Sequence, residues 1–93
     1  MNRDLLDAEC VIQHLCNLGM IMHYPWTNQQ LIPPDYSEYA VIFNNPNNLG
    51  DIRLQIIVRS GKHYISSSIV KILAHRHHFN PNNILTNCFV TIP

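Results

Sequence analysis

Acidic residues are missing from the second part of this chain: after Asp51 there is none. Glycine and cysteine are scarce as well, with three of each. Glycines at positions 19, 50 and 61 leave no glycine-rich loop that would cradle a phosphate. Cys10, Cys16 and Cys88 form no CxxC pair and no even set, which argues against a disulfide framework or a zinc knuckle and for a reducing, cytoplasmic compartment. No stretch approaches the roughly 18 apolar residues of a membrane helix, and Met1, Asn2, Arg3 and Asp4 lead into no apolar core of signal-peptide length. A soluble protein without a membrane partner is expected.

Charge is sparse, at 13% of residues, whereas 46% are hydrophobic. That balance is too apolar for a disordered chain and suits a packed core. At 93 residues, one domain covering residues 1–93 is expected. Asparagine and isoleucine are frequent, a bias that fits an AT-rich genome such as that of a phage or mobile element.

The charges that are present are sorted along the chain. Up to residue 51, six acids (Asp4, Asp7, Glu9, Asp35, Glu38, Asp51) oppose Arg3 alone, giving −5. From residue 52 onward Arg53, Arg59, Lys62, Lys71 and Arg76 meet no acid, giving +5 before any of four histidines protonates. Asymmetry of this kind points toward a macromolecular partner.

Helical spacing of Leu5, Ala8, Ile12, Leu15 and Cys16 predicts a helix over residues 4–18, stopped at Gly19. Its first turns carry Asp4, Asp7 and Glu9, where carboxylates meet the positive end of the helix dipole. A short strand is expected over 20–24. Residues 26–36 read as a loop, with Trp26 covering the core edge and Thr27 and Gln30 at capping-box spacing.

Residues 38–43 and 52–59 alternate as strands, and Ser60 with Gly61 makes a two-residue hairpin into 62–65. This predicts a three-stranded antiparallel meander in which Arg59 faces Lys62, Ile57 faces Tyr64 and Val58 faces His63. Leu54, Ile56, Val58 and Ile65 then point inward, and Arg53, Gln55, Ile57, Arg59, Lys62 and Tyr64 outward. Ser66, Ser67 and Ser68 cap a second helix running to about His78, with Ile69, Val70, Ile72 and Leu73 as its buried stripe. Residues 84–92 have strand composition. The expected fold is a two-layer α+β domain: N-terminal helix, three-stranded meander, second helix, C-terminal strand. Helix, meander, helix is also the order of double-stranded-RNA-binding modules, but Ser66, Ser67 and Ser68 stand where those carry a basic cluster, so the analogy is of order alone.

Lys71, His75 and His78 fall on one face of the second helix near its C-terminus, forming a cationic stripe. His75 and His78 supply at most two ligands for zinc unless His63 or Cys88 comes close, so no metal and no other cofactor is expected. Cys10 and His14, four apart on the first helix, have the spacing of a nucleophile and its base, yet no orienting group or oxyanion site accompanies them. No catalytic residue is therefore assigned. Leu6, Cys10 and Leu18 lie off the main stripe of that helix and suggest a second contact surface, as in a homodimer.

These observations converge on a small non-catalytic binding protein that docks on, and inhibits, a macromolecular partner, in the manner of an immunity protein or a phage or mobile-element anti-defence protein. The expected contact residues are Arg53, Arg59, Lys62, Tyr64, Lys71, His75 and His78. The alternative is a nucleic-acid-binding module using the basic outer sheet face, with Tyr64 stacking on a base.

Overall fold

The computed structural model describes residues 5–23, 38–46 and 50–90. The order of elements among them is β1 (Leu5–Asp7), α1 (Ala8–Asn17), β2 (Ile21–His23), β3 (Glu38–Asn44), β4 (Asp51–Arg59), β5 (Lys62–Ser66), α2 (Ser67–His77) and α3 (Asn82–Asn87). The mixed α+β class is as expected, but the sheet has five antiparallel strands, ordered β1-β5-β4-β3-β2. The expected loop over 26–36, with Trp26, Thr27, Gln30 and Asp35, lies outside the described residues.

The largest departure is at the beginning of the chain. Leu5, Leu6 and Asp7 do not start the helix; they pair with Ser66, Ile65 and Tyr64 of β5. Successive strand residues point to opposite faces, so Leu5 and Leu6 are both buried although they do not share a side. Helix α1 begins at Ala8, because Asp7 is its N-cap: the carboxylate accepts the Cys10 N–H at 2.9 Å. The buried face of α1 is Ala8, Val11 and Leu15, while Cys16 is exposed. Its end is a Schellman motif. Gly19 donates to the Cys16 carbonyl and Met20 to that of Leu15, with Gly19 at φ +92°, a conformation that favours glycine.

Strands β4 and β5 pair in the expected register, Arg59 with Lys62, Val58 with His63 and Ile57 with Tyr64. Ser60 (φ 52°) and Gly61 (φ 74°) both take the positive φ of a type I′ turn, whose twist matches that of the flanking strands. Ile52, Leu54, Ile56 and Ile65 point to one face and are fully buried with Val41 and Phe43 of β3. Val11 and Leu15 of α1, Val70 and Leu73 of α2, and Ile84 of α3 join this same core. The described helices therefore lie on one side of the sheet, and each fully buried aliphatic side chain contributes about 1.5–3 kcal/mol.

Helix α2 keeps its expected start after Ser66 and ends at His78, which adopts the left-handed conformation (φ 59°, ψ 51°). Its buried face is rotated from the expected one. Val70, Leu73, Ala74 and His77 are inside, and Ile72 is 52% exposed. The expected strand over 84–92 is corrected more strongly, since Asn82–Asn87 is a helix. Asn80 Oδ1 accepts the Asn82 N–H at 2.9 Å, an Asx turn across Pro81, the N-cap of this helix. Ile84 and Cys88, four apart, then bury on one side. Only past α3 does the chain reach the sheet: Phe89 bridges Leu6, and Val90 donates to the Leu5 carbonyl at 3.3 Å.

Among the described residues no helix is long and apolar enough to cross a membrane.

Candidate functional site

The seven expected contact residues do not form one surface. Arg53 and Arg59 of β4 share a strand face, and Lys62 stands opposite Arg59 across the hairpin, so these three exposed cations project from the sheet face opposite the helices. Lys71, His75 and His78 are exposed on α2, which packs on the other face. There they line a shallow groove of ≈ 390 Å³ with Ala74, Phe79 and Pro81.

Tyr64 leaves the set. Its outward direction is as expected, but it is only 7% exposed. β1, unforeseen in the sequence, makes β5 an interior strand and places Asp7 on one side of Tyr64 and Ile57 on the other. A side chain flanked in this way is not a stacking platform for a base.

Two acids of the first half, Asp7 and Asp51, are engaged elsewhere. Asp7 caps α1, and Asp51 accepts from Asn44 Nδ2 at 3.5 Å. Among the described residues no carboxylate pairs with Arg53, Arg59 or Lys62. Arg59 and Lys62 therefore confront each other as like charges, which costs a few tenths of a kcal/mol without an anion nearby.

His77 differs from its neighbours. It is buried, and its Nδ1 has no hydrogen-bond partner. Burial, and then the positive charges of Arg76 and His78, push its pKa below the ordinary imidazole value. A second buried-side imidazole, His63, is better placed: its Nδ1 lies 3.2 Å from Tyr39 Oη, with the two rings edge to face.

The second constellation corrects the expectation for cysteine. Cys10 of α1 and Cys88, the C-cap of α3, form a disulfide spanning 78 residues of sequence, with Cα atoms 5.4 Å apart. Cys10 is therefore not a free nucleophile for His14 to activate. Connectivity among cysteines so far apart is not written in their spacing. What the sequence does carry is the four-residue step from Cys10 to His14, and the structure brings Cys88 to the same place.

Compared with protein families, curated proteins and solved structures, the chain finds no match in any of the three.

Proposed function

We propose that this protein is a small non-catalytic binding protein that docks on an acidic surface of a protein partner and inhibits it, as an immunity or phage anti-defence protein does. The observation that carries the reading is the exposed trio Arg53, Arg59 and Lys62, unpaired with any carboxylate among the described residues. Like charges held together without counterions favour an anionic partner, and complementary potentials of this kind speed association and select partners. The α2 groove with Lys71, His75 and His78 is a separate contact on the opposite side. Cytoplasmic location and self-association as a homodimer belong to the same proposal; in a reducing cytoplasm Cys10 and Cys88 would be thiols.

Nucleic acid is the second reading, favoured by the same three cations and weakened by the burial of Tyr64. One experiment separates the two. The partner is captured from the source cell with and without nuclease, and binding is measured for the wild type and for Arg53→Gln/Arg59→Gln/Lys62→Gln. With an acidic protein partner, the triple variant associates more slowly while its dissociation rate changes much less. With nucleic acid, capture is nuclease-sensitive, and three lost phosphate contacts flatten the log–log salt slope by about 2 to 3 units. Binding unaffected by the triple substitution overturns both.

A further inference from the structure

The Cys10–Cys88 disulfide has a third member beside it. His14 follows Cys10 by one helical turn on the same face of α1, and a ring nitrogen of His14 and both sulfurs all lie within 4.8 Å of one another. We propose that, when the disulfide is reduced, Cys10, His14 and Cys88 bind a zinc ion, so that the same three residues serve alternately as a covalent cross-link and as a metal centre.

The backbone supports this because neither cysteine is held in place by the sulfur bond alone. Asp7 grips both: its carboxylate accepts the Cys10 N–H at 2.9 Å, and its own N–H donates to the Cys88 carbonyl at 2.8 Å. Cys88 is tied further by its N–H, which donates to Ile84 at 2.9 Å. Opening the S–S bond leaves these contacts intact, so the two thiols remain neighbours. The Asn87 carbonyl, 3.7 Å from Cys10 Sγ, is in position to accept the new S–H.

Tetrahedral zinc, with Zn–S near 2.3 Å and Zn–N near 2.0 to 2.1 Å, sets its sulfurs about 3.8 Å apart and sulfur and nitrogen about 3.6 Å apart. Once the covalent bond no longer holds the sulfurs together, those spacings lie within the 4.8 Å the three donors already share. The donor set suits the ion, since two thiolates and one neutral imidazole are ligands of structural and catalytic zinc alike. Cys88 is 1% exposed and packs in the core, whereas Cys10 and His14 are partly exposed. The ion would therefore sit at the edge of the core, with its fourth position toward solvent.

The balance is simple. A cellular dithiol passes two electrons and two protons to the disulfide, giving two cysteine thiols and its own cyclic disulfide. Zinc then displaces the two thiol protons, and His14 binds through an unprotonated nitrogen. The two thiolate charges cancel that of the ion.

The test uses the full chain with Cys16→Ser, which removes the exposed free thiol. Zinc is titrated against a chromogenic chelator, before and after reduction by a phosphine that becomes the phosphine oxide with oxygen from water. We expect one zinc per reduced chain and none per oxidised chain. Cobalt(II) in place of zinc should give thiolate-to-metal charge-transfer absorption only after reduction. Cys88→Ser should abolish binding, and His14→Ala, which removes a partly exposed side chain, should weaken it at least about tenfold. Should the reduced chain unfold, refolding by zinc alone, lost in His14→Ala, supports the site equally. A reduced chain that takes up no zinc, folded or unfolded, overturns the proposal, as does binding that His14→Ala leaves unchanged.

Discussion

Tyr39 Oη and His63 Nδ1 meet at 3.2 Å, joining β3 to β5 across β4, the strand between them. The pair is partly buried, and the imidazole tautomer decides which group donates. Tyr39→Phe should lower stability by about 0.5–1.5 kcal/mol, the net worth of one such bond. The effect should shrink when His63 is already replaced by Phe. A double-mutant cycle from urea denaturation checks this; a coupling indistinguishable from zero would mean that the contact contributes nothing.

The disulfide closes almost the whole described chain into one loop. Cross-linking residues 78 apart removes unfolded-state entropy equivalent to about 4.5 kcal/mol on the chain-entropy model. Reduction in zinc-free buffer should therefore lower the guanidinium midpoint markedly. Cys16→Ser, at an exposed free thiol, should change stability by no more than about 0.5 kcal/mol.

His77 should make the protein sensitive to acid. Its pKa is depressed in the folded state by burial, Arg76 and His78, so below the unfolded value near 6.5 the unfolded chain binds more protons than the folded one. Its contribution is fully present above about pH 6.5 and is lost as pH falls through the folded pKa. In His77→Leu this component of the pH dependence should disappear. Because His77 Nδ1 has no hydrogen-bond partner to lose, stability at pH 8 should fall little or rise. Thermal melts from pH 8 to pH 5 on both proteins measure it.

Self-association should run through the edge of the sheet at β2. Among the described residues no strand pairs with the outer edge of β2, and Leu18 (46% exposed) and Ile21 (53% exposed) lie beside it; such an edge is a ready template for a second copy. Sedimentation at high concentration should give twice the 10.8 kDa chain mass, and Leu18→Glu/Ile21→Lys should restore the monomer. A monomeric wild type would remove this interface.

Elements written in short-range chemistry were legible in the sequence. Ser60 and Gly61 define a turn whose geometry sets the Arg59–Lys62 register, Gly19 ends α1, and Ser66 precedes α2. Each depends on a few adjacent residues, and the cationic character of residues 52–93 needs no folding to be seen. The rest depends on partners distant along the chain. Leu5 and Leu6 fit a helix as well as a strand, and only pairing with β5 decides between them. That pairing also makes β5 an interior strand and buries Tyr64, the aromatic that an outward position had recommended as a contact. Residues 84–92 have strand composition, yet packing of Ile84 and Cys88 against α1 selects a helix for most of the described part. Which surfaces carry the seven cationic and aromatic candidates, and that Cys88 lies beside Cys10 and His14, were decided by tertiary structure alone. Composition and local spacing set the charges and the turns, but a side chain's face and neighbours depend on what crosses its strand or helix from far along the chain.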